Sequence, residues 1–517
     1  MRIQVDENCT LSCRMARTVA CAALMLAAAL MVALACLILS PTFQAHAADP
    51  SVLATEGAEP TKTAETAKNA GAAKAAELAE TSEAPNTPNA SNAPNTPNAS
   101  NAPNTPNTPI ALSTPKTLGS GRAMLEAQAV AAQASKVAKP SKKQLKAFKK
   151  ASADFSLKLF QKCVAAKGKG ANVTVSPMSV LNAMAVTANG AKGKTAKQMR
   201  KVLAGKASLK TLNKCMRWYS SKLVNSSKAR LNVANSIWYH NDGSLTMRPA
   251  FLSAAEKYYA AKVAPVDFAD PGTVDAINGW VEENTDGMIR RIVSSLAPED
   301  RIAIVNALYF DAKWRTPFEK SDVRKRKFTT AAGKKRKVQM MHGTEQRYIE
   351  RDGVRGFVKP YAKGYSYVAL LPEKGMTLKK FVASLDGDAF RKLVSAAKRQ
   401  PVRIAMPKYS LTYDNDQMER QLRDMGMKTA FSNGANFSKM ATDKRGKLHI
   451  GQVIHKTKID VDEEGTKAAA ATAIMMRASS APFEKVKVVT LNRPFVYAIV
   501  DNSTKLPVFI GTVNTIG

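Results

Sequence analysis

Residues 463–480 read Glu463-Glu464-Gly465-Thr466-Lys467-Ala468-Ala469-Ala470-Ala471-Thr472-Ala473-Ile474-Met475-Met476-Arg477-Ala478-Ser479-Ser480, directly after a strand-like Lys458-Ile-Asp-Val461. Read as a helix, the alanine run has good propensity. Read as a strand, every second residue from Thr466 is Thr, Ala, Ala, Thr, Ile and Met, a small and apolar face. The opposite face, Lys467 to Arg477, carries both charges at its ends. Successive strand side chains point to opposite faces, so this segregation suits a segment able to become a strand. Small side chains would let it slip between neighbours without clash. The other reading is coincidence within an alanine-rich linker.

Around this segment the chain is globular from about residue 141. Leu145, Phe148, Phe155, Leu159 and Phe160 recur at helical spacing and predict a helix to about Ala166, stopped by Gly168 and Gly170. Val173–Val175 reads as a short strand, and Ser176-Pro177 opens another helix with proline in its first turn. Strand-like runs at Ile302–Phe310, Ser366–Leu371 and Val402–Ala405 alternate irregularly with helical runs at Phe251–Tyr259 and Asp416–Met425. Without regular βαβ alternation, the class is α+β with several sheets.

The first 140 residues differ in texture. Arg14 and Arg17 precede an apolar run, Thr18 to Leu39, followed by Pro41 and Ala45-His46-Ala47, which predicts an export signal over 1–47 cleaved near Ala48. The run is long enough to serve instead as an uncleaved membrane anchor. Residues 48–140 form a low-complexity stalk or linker, with the nine-residue unit Ala84-Pro-Asn-Thr-Pro-Asn-Ala-Ser-Asn92 repeated over 93–101 and begun again at Ala102. Its prolines forbid helix and central strand and make an extended spacer. The protein is therefore expected to be secreted or extracellular, or held at the cell surface by its N-terminal segment. Only Cys163 and Cys215 follow the leader, and they are expected either to pair or to remain buried thiols.

Net charge is +36, and since 1–47 carry +1 and 48–140 carry −1, the excess lies wholly in 141–517. Such a surface attracts polyanions. Nucleic acid is not expected, because no known module or interleaving of basic and stacking residues occurs. The remaining histidines, His240, His342, His449 and His455, show no metal-ligand spacing, and there is no Gly-x-Ser-x-Gly elbow. Gly193-Lys194-Thr195 lacks the glycine a phosphate loop needs at position 188. Asp460–Gly465 begins like a calcium loop, but its twelfth place is Ala471. Neither a metal nor another cofactor is expected, nor is enzymatic activity.

Spaced blocks along 141–517 resemble the serpin family of serine protease inhibitors. They include Asn172-Val-Thr-Val-Ser176-Pro177-Met-Ser179, Asn189-Gly190-Ala191-Lys-Gly193-Lys-Thr195, Ala234-Asn235-Ser-Ile-Trp238 and Asn278-Gly-Trp280-Val-Glu-Glu-Asn284-Thr-Asp-Gly287-Met-Ile289. Others are Asn306-Ala-Leu-Tyr309-Phe310-Asp-Ala-Lys313-Trp314, Pro317-Phe318, Phe431-Ser-Asn-Gly434-Ala435, Ile454-His455-Lys456, Asn492-Arg-Pro494-Phe495 and Phe509-Ile-Gly511. The resemblance implies a serpin domain over 141–517: three β-sheets surrounded by about eight to nine helices, with an exposed reactive-centre loop over 463–491. It assigns Glu463, Glu464, Gly465 and Thr466 to a hinge, and Ala468, Ala470 and Thr472 to the segment that inserts. Ser176, Ser179, Asn306 and His455 resemble the polar cluster beneath the point where the central sheet parts, and Trp314 the packing residue at the top of the opening. A protease cutting the loop would be trapped as an acyl-enzyme when the hinge side enters the sheet; such loop insertion is a known structural transition.

Seventeen residues counted from Glu463 in the manner of relatives place the bait bond at Ser479–Ser480; counting back from Asn492 places it near Phe483–Glu484. Ala478–Ser479 is chemically similar. A small bait residue suits an elastase-like protease, whereas Arg477–Ala478 would select a trypsin-like one. Lys210, Lys214 and Arg217 form a helical row, and Arg324, Lys325, Arg326 and Lys327 with Lys334–Lys337 flank Phe328; these could bind a sulfated glycan or other polyanion, or simply be solvated faces. The chain is expected to act as a monomer. A non-inhibitory member of the same fold and a surface glycan-binding protein are the alternative functions.

Overall fold

The computed structural model describes residues 137–168, 170–223, 225–451, 453–466 and 486–516. The leader, the repeats and the bait segment 467–485 lie outside these residues, and with them Lys467, Ala468, Ala470, Thr472, Arg477, Ala478, Ser479 and Ser480.

The first helix, α1 (Lys142–Ala166), begins in a reciprocal cap: Ser141 accepts from the Gln144 amide while Gln144 accepts from the Ser141 amide. Its apolar stripe buries Phe148, Phe155, Leu159 and Phe160, each worth about 1.5–3 kcal/mol when fully buried. After β1 (Val173–Val175), Ser176 caps α2 (Pro177–Asn189), with proline where a missing N–H costs nothing. Helix α2 ends at Gly190, where an added Cβ would sit 2.4 Å from Met440 Cβ. Helices α3 (Gly193–Ala204) and α4 (Leu209–Ser220) follow, then β2 (Asn225–Ser226), β3 (Ala229–His240), β4 (Leu245–Met247), α5 (Pro249–Tyr259), β5 (Lys262–Val266) and α6 (Gly272–Asn284).

The second half is richer in strands. It runs through β6 (Ile302–Lys313), β7 (Val323–Thr329), β8 (Lys335–Arg351), β9 (Val354–Pro360), β10 (Tyr365–Pro372), α7 (Leu378–Ser384) and α8 (Gly387–Ser395). There follow β11 (Lys398–Pro407), β12 (Tyr409–Asn415), α9 (Met418–Met425), β13 (Ala441–Asp443), β14 (His455–Val461), β15 (Gly465–Thr466), β16 (Lys487–Thr490), β17 (Phe495–Asp501) and β18 (Pro507–Val513).

These strands make three sheets, as expected, and nine α-helices among the described residues. A nine-stranded sheet runs β1-β18-β17-β10-β9-β8-β11-β16, with β7 paired to β8. Strands β10, β17 and β18 are buried at every residue, which explains their unbroken apolar runs. A seven-stranded sheet runs β12-β14-β15-β6-β3-β2, with β5 paired to β3, and β13 with β4 forms a small third sheet. Helix α2 packs against both β6 and β18, so it couples the two large sheets.

Cys163 and Cys215 are buried as free thiols, so the pairing alternative is not realised. Cys163 donates from Sγ to Gln421 Oε1 at 3.1 Å. Burial pushes the Cys163 thiol up to about 12 and that of Cys215 to about 11. Labelling the folded protein should leave both unmodified, and denaturant alone should open both to reagent. Two residues that stay unlabelled in denaturant, with a mass two hydrogens low, would mean that they are joined.

Candidate functional site

Strand β14 ends at Val461, and the next residue reverses the chain. Asp462 Oδ1 accepts from the amides of Glu464 at 2.9 Å and Gly465 at 3.0 Å, and Asp462 N donates to Gly465 O at 3.1 Å. The turn sends β15 back antiparallel to β14 and into the seven-stranded sheet: Thr466 faces Val461 on one side and Ala312 on the other, and Gly465 faces Lys313. A Cβ at Gly465 would lie 2.2 Å from Ala312 O, so only glycine fits this approach without backbone movement. The hinge expected from the sequence is thus already seated in the sheet at Gly465 and Thr466, and Thr466 is 2% exposed.

Several groups hold it there. Trp314 N donates to Glu464 O, and Phe318 N to Glu463 O, each at 2.8 Å. Trp314 Nε1 donates to Asp462 O at 2.9 Å. Lys408 Nζ pairs with Glu463 at 2.6 Å. The Trp314 ring stacks on Tyr361 at 4.4 Å between centroids, and the Tyr361 hydroxyl shares a 2.6 Å hydrogen bond with Thr466 Oγ1. Beneath the stack, Lys359 Nζ lies 4.1 Å from the Phe318 ring centroid and 5.2 Å from that of Trp314. The same ammonium pairs with Glu345 Oε1 at 2.8 Å and donates to Thr316 O at 2.7 Å. Burial pulls the Lys359 pKa down and pushes that of Glu345 up, while each charge offsets the other's loss of water.

One helical turn of α2 lies under the next stretch of sheet and brings the polar residues together. Ser179 Oγ donates to Asn306 Oδ1, and Asn306 Nδ2 donates to Asn235 Oδ1 at 2.6 Å across the β3–β6 register. Ser176 Oγ donates to Val508 O at 3.0 Å, which ties the cluster to β18. Ser176 N donates to His455 Nε2 at 3.2 Å, so that nitrogen carries no proton. Burial drops the His455 pKa to about 4.

Strands β6 and β14 share no direct ladder among the described residues. Below the polar cluster a cavity of about 460 Å³ opens between the lower end of β6, helix α2 and residues 445–451 and 453–455. Val180, Met184, Ile292, Leu296, Ile304 and Val453 are among the residues of its apolar wall.

Of the residues expected from the sequence, the fold brings Trp314 together with Glu463–Thr466, and Ser176, Ser179, Asn306 and His455 into a neighbouring group. The sequence did not single out Tyr361, Lys359, Glu345, Asp462 or Lys408. A lysine inside the otherwise apolar Gly356-Phe-Val-Lys359 strand was the one available signal of a buried cation. Of the basic residues, Lys210 and Lys214 are exposed on α4 while Arg217 is half-buried; Arg324, Lys325, Arg326 and Lys327 are all exposed on β7, paired in a hairpin with β8.

A family model described as serpin (serine protease inhibitor) matches residues 150–516. The chain is 33% identical over 356 residues to an uncharacterized serpin-like protein of Thermococcus kodakarensis, across 66% of this chain and 80% of that one. It is 30% identical over 373 residues to plasminogen activator inhibitor 1 of Mus musculus, across 70% and 90% of the two chains. The crystal structure of tengpin, a thermophilic serpin, in its native state aligns with a TM-score of 0.68 at 40% identity, covering 73% of this chain and 96% of that one. With its three sheets, nine described helices and this match over 150–516, the chain belongs to the serpin family of serine protease inhibitors.

Proposed function

We propose that the chain is an exported suicide inhibitor of serine proteases with its bait bond at Ser479–Ser480. The observation that supports this reading is the seat of Gly465 and Thr466 between β14 and β6. A strand continued in the same register would meet one earlier residue on each neighbour at every step. Ala468 would lie beside Phe310 and Ile459, and Ala470 beside Leu308 and Thr457. Thr472 would fall between Asn306 and His455. Ile474 and Met476 would lie opposite Ile304 and Ile302, two residues that line the apolar cavity. Small side chains therefore fall where the flanking residues are bulky, a hydroxyl falls in the polar cluster, and the long apolar ones fall over open space.

Before cleavage the far end of the loop is tied down, because β16 pairs in parallel with β11 from Lys487↔Val402 to Thr490↔Ala405. The target's serine attacks the Ser479 carbonyl, an ester to the protease replaces the Ser479–Ser480 amide, and the new amine of Ser480 leaves with its proton. The tether is then gone. Insertion adds ladder hydrogen bonds at about 0.5–1.5 kcal/mol net each. It also buries Ile474 and Met476 at about 1.5–3 kcal/mol each. The protease, still esterified, is carried along before water can reach the ester. Such a native state persists because the barrier to insertion is high in the uncut chain, not because it is the most stable arrangement. A small bait residue fits a shallow, elastase-like pocket. The exposed cations of β7 and α4 add a long-range attraction for polyanions, including sulfated glycans.

Three outcomes follow. Elastase should give an SDS-stable complex and release a peptide starting at Ser480. A trypsin complex releasing a peptide that starts at Ala478 would move the bait to Arg477, and cleavage without any complex would end the inhibitor reading. Ala470→Arg should be cut at the wild-type rate yet fail to trap, since on insertion a charge cannot be buried between Leu308 and Thr457; trapping at wild-type stoichiometry would contradict the register. For His455, the ordinary pKa near 6.5 applies once the sheet opens, against about 4 in the closed state. The open state alone takes the proton between these values, so the closed state loses up to about 3 kcal/mol as pH falls from 6.5 to 4. Opening or unfolding rates should rise over this window in the wild type and much less in His455→Gln; equal slopes would remove the histidine from the mechanism.

A further inference from the structure

On the flank of the molecule behind Trp314, a second cavity of about 410 Å³ is lined by Arg315, Arg347 and Arg399 together with Thr316, Gln346 and Glu345. Its volume is that of a small-molecule site. Arg347 on β8 and Arg399 on β11 are direct cross-strand partners, with a register irregularity immediately after Arg399. Partners of this kind hold their Cβ atoms about 4.5–5.5 Å apart on one face, and like charges so placed repel. Arg315 approaches from the third side, fixed by its backbone amide, which donates to Pro360 O at 3.0 Å.

The described protein neutralises this group only in part: Arg315 is near enough to Glu345 to help hold that carboxyl's pKa down against burial. None of the three guanidinium groups forms an ion pair among the described residues. The single carboxylate in the wall, Glu345, is already engaged by Lys359 at 2.8 Å. Further positive charge lies close by: Arg347 is one of the cations that help to depress the Lys505 pKa, after burial. The β7 hairpin is also basic, but its four cations Arg324–Lys327 are all exposed, and Arg324 has Asp322 at 3.5 Å. Arg315 and Arg399 are exposed too and Arg347 is half-buried, but these three line one common cavity, which the β7 cations do not.

We propose that this cavity binds a small molecule carrying a phosphate or sulfate group, with the oxyanion held between Arg347 and Arg399 and its polar body lying against Arg315 and Gln346. Planar guanidinium forks match tetrahedral oxyanions through paired N–H donors, which an ammonium cannot reproduce. The bound anion would also relieve the cross-strand repulsion, so the site is built to be more stable when filled. This goes beyond protease inhibition and does not depend on the bait register.

The test is thermal unfolding of the full chain at one scan rate, in inorganic sulfate, inorganic phosphate or chloride at equal ionic strength. In wild type the midpoint should rise with a saturating dependence on sulfate or phosphate. Arg399→Gln should be at least as stable as wild type in chloride, and should lose that rise, with oxyanion affinity weakened about 10-fold or more, since a hydrogen bond to a charged group is worth about 1.5–3 kcal/mol. Arg326→Gln on β7 should keep the rise. A linear, unsaturating increase shared by all three proteins would be general exclusion of sulfate from the surface, and would overturn the proposal. So would an Arg399→Gln protein less stable than wild type in chloride yet equally stabilised by sulfate. Titration with a sulfated disaccharide separates the two sources of the group: tighter binding than inorganic sulfate identifies an ester, weaker binding the free ion.

Discussion

Buried backbone N–H and C=O groups must be paired, and that requirement governs the seven-stranded sheet. Strands β6 and β14 are neighbours in the layer but share no ladder directly among the described residues; Gly465 and Thr466 stand between them at one end. Under the proposed mechanism, a further strand entering there would give the facing edges of β6 and β14 a partner along their length. The rest of the architecture sets the terms on which that strand can enter.

The aromatic stack at the top is one such term. Trp314, Tyr361 and Thr466 form a continuous contact, and an aromatic pair contributes about 0.5–1.5 kcal/mol beyond its buried area. The Lys359–Glu345 pair below is weak evidence for stability, since desolvation offsets most of the attraction. It is better understood as a spacer that fixes where the two rings stand, because Lys359 touches Phe318, Trp314 and the Thr316 carbonyl at once. The polar cluster is the second term. Its hydrogen bonds run from α2 to β3, β6, β14 and β18, so the strands cannot separate there without unsatisfying several buried groups together.

Much of this was legible in the order of residues. Ser176-Pro177 marks the start of α2 because a cap and a proline act locally, and Gly190 marks its end for an equally local reason. The alternation from Thr466 onward gave the face that would turn inward, and Thr466 does point inward in the fold. The contacts that were not legible join residues far apart in the chain: Tyr361 to Thr466, Glu345 to Lys359 from separate strands, Lys408 to Glu463. A lysine in an apolar strand announces a buried cation but not its carboxylate. Composition alone also could not say whether two cysteines in different helices meet, since that depends on the packing of α1 against α4.

That last feature has a bearing on where such a molecule can work. Among the described residues, two sequestered sulfhydryls with thiolate formation suppressed leave no bond for glutathione to break and no ready nucleophile for peroxide to find. The described fold is thus held by packing, with no cross-link between its two cysteines for an oxidoreductase to install.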